Sequence, residues 1–554
     1  MPVFADPNSI SWVVFLPALA AVGLLAQRII TNTLFDAAGL PGSVWRWVAL
    51  GTSTLTFVLA VAGLWQGFDP EITGYQLVEH VSWMPSLGVN YFVGIDGISL
   101  VLVLLTSFVV PLTIVSSWNE VDETLESYAV FLLLLETGMN GALVSLNVIG
   151  LYCFWELALV SSFFIVGRWG GASGLTAAIK YLMFGVASSF LFLIAVLIVG
   201  RINFEQGGVF NFDLVSLGNA DALGLLSTQI ATEATSNTPW WQTQLWLFAA
   251  VALAFAIKIP LVPLHGWYNN AQNEAPTSGS ILVSALVVKL GAFAFLRVAL
   301  PLFPDAARVA GPWITNIALL GIVLSGLLAL GQRDAKRLIG YVSLAHLSFI
   351  VLGIMSLNRH AMVGSVISMV SHALSITALY VLLGFLIERR STRLVSDFGG
   401  LAKPMPICAA LFALAVISHI GFPGTGGFVG SFLVFLGIYS AGAWGAMIAL
   451  AGMVLVASTL LRAASRIMLG PLEQAENLGL IDFSLRERAV VLLLVLPLFW
   501  VGVYPSPILR RVEPAVGLLL SAMDRRAAPN EREGLVRPNL TVLNAIPRSR
   551  THSP

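Results

Sequence analysis

The residues best suited to proton chemistry in this chain lie inside apolar segments, where charge is rare. Lys258 stands in the run FAIKIPLVPLHGW (residues 255–267), which otherwise has the composition of a helix that crosses a bilayer. A charged side chain at the bilayer centre costs about 2.5–3.5 kcal/mol on insertion scales, and such residues usually mark an ion or proton pathway. Lys258 is therefore the first candidate for a functional site.

Further ionisable residues occupy similar depths in neighbouring apolar segments. Burial disfavours a lysine ammonium and an adjacent carboxylate favours it, so a movable carboxylate can move a proton; histidine titrates nearest neutrality. This pattern predicts a hydrated polar track along the bilayer midplane. The relay candidates are Glu156, Lys180, Lys258, Lys289, His346 and His372. Secondary candidates are Glu136, His265, His419 and Ser431.

Simpler roles remain open for some of these residues. Lys180, near the start of its helix, could snorkel to the interface. His265, beside Trp267, could form an interfacial hydrogen bond instead of lying on the pathway. Glu136 could be a structural partner. Glu156 could neutralise a lysine, although in a membrane such a pair usually also marks an ion path.

The composition establishes which elements position these residues. Hydrophobic residues make up 57% of the 554 residues and charged residues only 10%, and the mean hydropathy is +0.87. About 20 apolar residues span a bilayer as a helix, which predicts an all-α polytopic membrane protein with about fourteen transmembrane helices. The predicted spans are 10–29, 47–65, 91–116, 128–146, 148–167, 176–199, 244–264, 279–300, 313–331, 337–356, 361–387, 407–437, 442–468 and 489–508.

Two of these spans contain helix breakers. Pro260 and Pro263 flank the residues after Lys258, and Pro423 lies in the glycine-rich run GFPGTGGFVGSF. Each proline removes a backbone hydrogen bond, so both helices are expected to break near the midplane, a common device in transporters. The breaks lie five spans apart, which predicts two inverted five-helix repeats.

The resulting organisation has five parts. They are N-terminal helices 1–3 (1–127), a first inverted repeat (128–300), a second inverted repeat (301–470), a C-terminal helix 14 region (471–524) and a disordered tail (525–554). Basic loop residues share one face, which predicts that this face is cytoplasmic and that both termini are periplasmic. These residues are Arg333, Lys336, Arg337, Arg389, Arg390, Arg393, Lys403, Arg462, Arg466, Arg486 and Arg488.

Charge and cysteine content exclude other classes of protein. There are 29 basic and 29 acidic residues, so no net field favours nucleic acid. Cys153 and Cys408 are far apart without metal-ligand spacing, so neither a metal site nor a cofactor is expected in this chain. A free-standing enzyme is not expected, because no nucleotide fingerprint, nucleophilic triad or redox motif is visible.

Several motifs in one order then indicate a family. The strings YFVGIDGISLVLVLLTSFVVPL, FWELALV, AIKIPLVPLHGW, EAPTSGSILVSALVVKLGAF, RDAKRLIGYVSLAHLSF, MVSHALS and GFPGTGGFVGSF span residues from about 90 to 470. Together they resemble the antiporter-like membrane subunits of respiratory complex I, the NADH:quinone oxidoreductase, and most strongly its bacterial M subunit.

The resemblance implies a proton channel driven by redox chemistry in a separate peripheral arm. Glu156 resembles the family's glutamate on helix five, Lys258 the lysine of broken helix seven, and Lys289 the connecting lysine of helix eight. His346 and His372 resemble later relay residues. NADH, flavin, iron–sulfur clusters and quinone are then expected in partner subunits, and the chain in the bacterial inner membrane among other membrane-arm subunits.

The sequence also departs from the family's pattern. Ser431 stands where an acidic residue is common, Asn270 and Gln272 replace a usual Asp and His, and Asn147 replaces a common Asp. Serine cannot store a proton charge, so these changes point either to a divergent paralogue that is not a standard pump or to an altered exit route near the second break. His419 is the nearest titratable residue, but twelve residues of ideal helix would separate it from Ser431 by about 18 Å. The break must shorten that distance.

Two other functions remain open at this stage. The same scaffold could serve as a module of another assembly, namely an Mrp-like cation/proton antiporter, a membrane hydrogenase or an inorganic-carbon uptake complex. Alternatively, His346 and His372 could be axial ligands of a haem.

Overall fold

Helices make up most of the part of this chain that the structure describes. The computed structural model describes residues 9–34, 42–121, 124–208, 210–217 and 241–526. In this described part, 11 helices are long and apolar enough to cross a membrane, or up to 12 if a bent C-terminal pair counts as one span. The chain is therefore a polytopic helical membrane protein. Residues 527–554, most of the predicted tail, lie outside the described residues, whereas Arg525 and Arg526 belong to the last helix.

The described elements follow one another in chain order. In order they are α1 (Ser9–Leu34), α2 (Gly42–Leu59, continued by a π-helical segment, Ala60–Trp65), β1 (Gln76–Met84), β2 (Val89–Ile95), α3 (Gly97–Ser116), α4 (Leu125–Val144), α5 (Val148–Trp169), α6 (Gly174–Gly207), α7 (Leu214–Leu217), α8 (Trp241–Lys258), α9 (Gly266–Glu274), α10 (Thr277–Leu302, with two π-helical segments), α11 (Pro304–Leu330), α12 (Ala335–Met355), α13 (Arg359–Arg390), α14 (Pro406–His419), α15 (Gly426–Ala441), α16 (Ala443–Met468), α17 (Ala475–Leu478), α18 (Leu485–Val503) and α19 (Ser506–Arg526). Short 3-10 turns cover Pro85–Leu87 and Val395–Asp397.

Burial separates an inner set of helices from an outer set. In the apolar stretch of α10, 100% of the residues are buried, and the corresponding shares are 94% in α12 and 89% in α13. In α2 and α16 only 33% of these residues are buried. Outer helices carry exposed large apolar residues such as Trp246, Trp313 and Trp444. The inner helices carry Lys289, His346 and His372, so the polar candidates lie in the protein interior and the outer helices separate them from lipid.

A β-hairpin precedes α3, and the sequence interpretation missed it. Strands β1 and β2 pair antiparallel. Gly88, which lies between them, has φ +66°, and a Cβ at this position would lie 2.1 Å from the Phe210 carbonyl oxygen. The predicted span 91–116 is therefore wrong in its first residues. Helix α3 starts at Gly97 because the Asp96 carboxylate accepts from the backbone N–H groups of Ile98 and Ser99 and caps it.

The first break lies where the prolines predict it. Helix α8 ends at Lys258 and α9 begins at Gly266. The carbonyl that Pro260 leaves without a helical partner, that of Ala256, accepts instead from the N–H of Leu261 at 2.9 Å. The next carbonyl, of Ile257, accepts from the indole N–H of Trp267 at 2.9 Å. A side chain from beyond the break thus replaces a backbone donor.

The second break also lies where it is expected. Helix α14 ends at His419 and α15 begins at Gly426. Gly421 and Gly424 have φ of +78° and +92°, a conformation that residues with a Cβ rarely adopt. The carbonyl of His419, which Pro423 frees, lies 3.2 Å from Nε2 of His346. This turn folds the chain back toward α12.

A third interruption corrects the predicted span 489–508. Helix α18 ends at Val503, and the next helix bends away by 71°. Pro505 disfavours helical backbone at Tyr504, which explains the stop. The following helix α19 packs against the start of α3, where a Cβ at Gly97 would lie 1.7 Å from the Arg511 carbonyl oxygen.

Candidate proton-relay site

Glu156 and Lys258 meet at the first break. Lys258 Nζ on α8 lies 3.4 Å from Oε1 of Glu156 on α5, and the hydroxyl of Ser189 on α6 donates to the same carboxylate oxygen. The ammonium also lies 4.5 Å from the ring centroid of Trp155, within the range of a cation–π contact. Lys258 is buried, so these contacts replace water around its charge. The structure brings together the pair that the sequence singles out.

Lys180 and His265 lie beside the same break. Lys180 is half-buried, and a Cβ at Gly266 would lie 3.6 Å from its Nζ, which places the amine next to the first turn of α9. His265 directly precedes that turn, and its Nδ1 is buried without a protein partner in the described structure. Both residues border the break, although no direct contact joins either of them to Glu156 in the described residues.

Lys289 on α10 connects the first half of the chain to the second. Its Nζ lies 2.8 Å from Nδ1 of His372 on α13 and also donates to the carbonyl of Ser284. Lys258 and Lys289 lie on packed segments, because a Cβ at Gly291 would be 2.5 Å from Cγ1 of Ile259. Adjacent helices therefore hold the two lysines at a similar level.

Three histidines converge beyond Lys289. The ring centroids of His346 and His372 are 5.4 Å apart, those of His346 and His419 4.4 Å, and those of His372 and His419 5.5 Å. The Nδ1 atom of His419 lies 2.9 Å from the hydroxyl of Ser375. His419, a secondary candidate in the sequence, is thus an equal member of this cluster.

A small polar cavity adjoins the three rings. Its volume of about 10 Å³ leaves room for about one water molecule. Its polar lining consists of the three histidines with Ser368, Ser371, Ser375, Ser418 and Ser431. The hydroxyls of Ser368, Ser371 and Ser418 and Nε2 of His372 and His419 are buried without a protein partner in the described structure. The cavity is too small for a haem, which therefore does not fit between His346 and His372.

Ser431 lies closer to His419 than an unbroken helix would allow. Both residues line the same cavity, and a Cβ at Gly421 would lie 3.6 Å from the Ser431 hydroxyl oxygen. The glycine turn after α14 brings the start of α15 back beside the end of α14. The separation of about 18 Å expected for ideal helix does not apply.

Glu136 lies apart from this set of contacts. It is fully buried on α4, and one of its carboxylate oxygens accepts from the hydroxyl of Ser53 on α2 at 2.7 Å. The other oxygen has no protein partner in the described structure. No hydrogen bond or ion pair joins Glu136 to the lysines or histidines in the described residues.

The structure also reveals polar residues that the sequence interpretation missed. The Tyr268 hydroxyl on α9 lies 2.8 Å from the hydroxyl oxygens of both Ser284 and Ser343. Ser284 also supplies the carbonyl to which Lys289 donates, so Tyr268 connects the first break to the contacts of Lys289. The position of Tyr268 soon after the break is the sequence feature that could have identified it as a polar residue near the track. Lys336, read as an exposed loop charge, is instead buried in the first turn of α12, where it donates to the Ala275 carbonyl.

A second buried ion pair lies outside the relay. Arg297 on α10 donates to both carboxylate oxygens of Asp96, at 2.9 and 3.0 Å, and to the Tyr75 hydroxyl at 2.7 Å. Burial raises the pKa of Tyr75, although the adjacent guanidinium favours its ionised form. This arrangement attaches α10 to the cap of α3.

Comparisons with known proteins agree over nearly the whole chain. The family model described as NADH:quinone oxidoreductase/Mrp antiporter matches residues 145–457, and the model described as NADH-ubiquinone oxidoreductase chain 4, amino terminus, matches residues 72–144. Subunit M of the NADH-quinone oxidoreductase of Rhodobacter capsulatus is 34% identical over 517 residues, 93% of this chain and 96% of that relative. NADH-ubiquinone oxidoreductase chain 4 of Marchantia polymorpha is 31% identical over 476 residues, 86% of this chain and 91% of that one.

Solved structures give the same result. A chain of respiratory complex I from Thermus thermophilus with bound NADH superposes with a TM-score of 0.79 at 26% identity, over 93% of this chain and 99% of that chain. A chain of the Mrp complex from a Dietzia species has a TM-score of 0.75 at 19% identity, over 92% of this chain and 99% of that chain. At that identity the second likeness shows the fold alone.

Proposed function

Because the chain belongs to the antiporter-like membrane subunits of NADH-quinone oxidoreductase, of the subunit M type, we propose that its buried Glu, Lys and His side chains carry protons through the membrane arm of that enzyme. It is a proton-translocating antiporter-like subunit, and its partners are the other membrane-arm subunits of the complex. The observation that carries the proposed route is the 2.8 Å contact between Lys289 and His372, which links the two halves of the polar track.

The route begins at the pair of Glu156 and Lys258. While the two are in contact, the carboxylate stabilises the buried ammonium; a shift of Glu156 away leaves that charge unpaired and favours release of its proton. The release occurs at the end of α8, where the backbone is already interrupted. Lys180 and His265 border this break and are proposed to supply protons to it.

The released proton passes to Lys289 and on to the histidines. The hydrogen bond from Lys289 Nζ to His372 Nδ1 gives the proton a direct path onto the imidazole ring. His372 lines the cavity shared with His346 and His419, and its Nε2 has no protein partner in the described structure. Hydroxyl groups and about one water molecule can complete the path there. Neutral imidazoles suit this step because each can accept a proton at one nitrogen and release one from the other.

The position of Ser431 implies that this copy uses a different terminal group. We assign the role of the missing acid to His419, whose ring lines the same cavity as the Ser431 hydroxyl. The proposed order is Glu156 with Lys258, then Lys289, then His372 with His346, and finally His419. Glu136 has no contact with this track among the described residues and is proposed to be a structural partner.

The proposed architecture has fourteen membrane crossings. They are the eleven long helices, the bent pair α18 and α19, and the two interrupted spans formed by α8 with α9 and α14 with α15. Residues 128–300 and 301–470 are proposed to be inverted five-helix repeats, since each contains one break. The chain is proposed to lie in the bacterial inner membrane with periplasmic termini, and its partner subunits to carry NADH, flavin, iron–sulfur clusters and quinone.

A pair of histidine variants on one helix tests the proposal. His372→Asn removes the ring that can take up and pass on a proton, although the Asn amide oxygen can still accept from Lys289. His360→Asn changes an exposed residue in the first turn of the same helix. Proton uptake by inverted membrane vesicles, normalised to NADH oxidation, is expected to fall in His372→Asn and to stay at the wild-type level in His360→Asn. Wild-type proton uptake in His372→Asn would contradict the proposed route.

A further inference from the structure

The three histidines of the cavity have the ligand set of a metal site. His346, His372 and His419 come from three different helices, and one ring nitrogen from each lies within 4.8 Å of the other two. Zinc binds imidazole nitrogen at about 2.0–2.1 Å, so two nitrogens on a tetrahedral ion lie about 3.3 Å apart. Small side-chain rotations of the three rings would bring the nitrogens to that separation.

Each ring is already held through its Nδ1 atom. Nδ1 of His346 lies 3.1 Å from the Val342 carbonyl oxygen, and Nδ1 of His419 lies 2.9 Å from the Ser375 hydroxyl. Nδ1 of His372 lies 2.8 Å from Lys289 Nζ. Metal-binding histidines usually donate the N–H of their second nitrogen to such a partner, because the contact orients the ring. His372 can bind through Nε2 when Lys289 is a neutral amine that accepts from the Nδ1 N–H, since an ammonium group can only donate.

The Nε2 atoms are therefore the available ligands. Those of His372 and His419 have no protein partner in the described structure, and both residues are only 3% exposed. Nε2 of His346 lies 3.2 Å from the carbonyl oxygen of His419 and would have to leave it. Buried polar atoms in proteins usually have a partner. A bound metal ion would supply one for the two unpartnered nitrogens.

The chemistry of the cavity selects the class of metal. None of its lining residues in the described chain is acidic, which disfavours Ca²⁺ and Mg²⁺, since these ions require several oxygen ligands with carboxylates among them. Three imidazoles favour Zn²⁺ and similar transition metals, and a hydroxyl or a water molecule can supply the fourth position. Binding through His372 Nε2 requires Lys289 to be neutral, and the ammonium form of Lys289 opposes a second cation, so binding weaker than at a structural zinc site is expected.

We propose that His346, His372 and His419 bind one divalent transition-metal ion of the zinc class through their Nε2 atoms. The site does not depend on the proposed proton route, because it follows from the geometry of the rings alone. If both hold, the bound ion occupies nitrogen lone pairs that the relay uses, and zinc inhibits proton translocation by this subunit.

Direct metal binding to the purified complex tests the proposal. The complex is treated with a chelator, passed through a desalting column, incubated with Zn²⁺ or Co²⁺, and its metal content is measured by mass spectrometry. Wild-type complex is expected to bind one more equivalent than the His419→Asn complex, and its Co²⁺ form to show the visible absorption of a tetrahedral site. His360→Asn, which alters an exposed histidine of α13, is the matched control and is expected to keep that equivalent.

A second variant distinguishes ligand loss from misfolding. Ser375→Ala leaves the three ligands in place but removes the contact that orients His419, and it is expected to weaken binding by about 10- to 100-fold. Intact mass spectrometry of each purified complex confirms that the subunit is present and assembled. Equal metal content and equal Co²⁺ spectra in wild-type and His419→Asn complexes would overturn the site, whatever the proton-pumping assays show.

Discussion

The contact between Glu156 and Lys258 provides the most direct test of the relay. At 3.4 Å, two unit charges attract by about 5 kcal/mol at an effective dielectric constant of about 20. Removal of one partner from a buried pair costs about 3–5 kcal/mol. The Glu156 side chain is 23% exposed in the isolated chain, so the lower end, about 3 kcal/mol, applies. A loss of that size in the proton-transfer step corresponds to a reduction of more than about 100-fold.

The test compares three variants, which are Glu156→Gln, Lys258→Met and the double variant. Each single variant is expected to lose most NADH-driven proton uptake in inverted vesicles while NADH oxidation with an artificial acceptor persists. The double variant is expected to lose little more than the worse single variant, because two residues that act as one unit are not additive.

The control is an ion pair of similar chemistry in an exposed position. Arg201 and Glu205 on α6 are 2.7 Å apart, closer than the buried pair, but their side chains are 77% and 43% exposed. Exposed pairs contribute about 0–1 kcal/mol, so Arg201→Met and Glu205→Gln should leave proton uptake unchanged. Full proton uptake in both Glu156→Gln and Lys258→Met, or losses that multiply in the double variant, would refute the paired mechanism.

Three other predictions concern the second half of the track and the fold. Lys289→Ala should abolish most proton uptake and Lys289→Arg should retain only part, because arginine keeps its charge but does not readily release a proton; equal uptake by the Lys and Arg forms would indicate a purely electrostatic role. His419→Ala should reduce proton uptake in vesicles and Ser431→Glu should restore it in that background, whereas wild-type uptake in His419→Ala would remove His419 from the route. Arg297→Met should lower stability by about 3–5 kcal/mol because it leaves the Asp96 carboxylate buried and unpaired; an unchanged melting temperature of the purified complex would contradict this.

Local chemistry made the interrupted helices predictable from the sequence. Pro260 and Pro423 remove specific backbone hydrogen bonds, and that effect does not depend on the rest of the fold. The hairpin before α3 was missed because β2 is apolar and continuous with the helix that follows, so hydropathy alone merges the two. The capping carboxylate of Asp96 was the local signal that separates them.

The convergence of the histidines could not be read from the sequence. His346 and His419 are 73 positions apart, and their proximity depends on how α12 packs against the turn after α14. For the same reason the sequence lacked any metal-ligand spacing, since the three rings come from three helices. The burial of Lys336 also depends on packing, because Ala275, whose carbonyl it contacts, lies in a distant part of the chain.

The histidine cluster limits how many positive charges the second half of the track can hold at once. The three rings lie 4.4–5.5 Å apart, and no acidic side chain is among the described residues that line their cavity. Two positive charges about 5 Å apart repel by about 3 kcal/mol at an effective dielectric constant of about 20, which makes double occupancy more than about 100-fold less frequent. On the proposed route, a proton that arrives at the cluster therefore has to leave before the next can enter. The three histidines would then hold at most one extra proton at a time. The cluster would pass on one proton each time it is deprotonated.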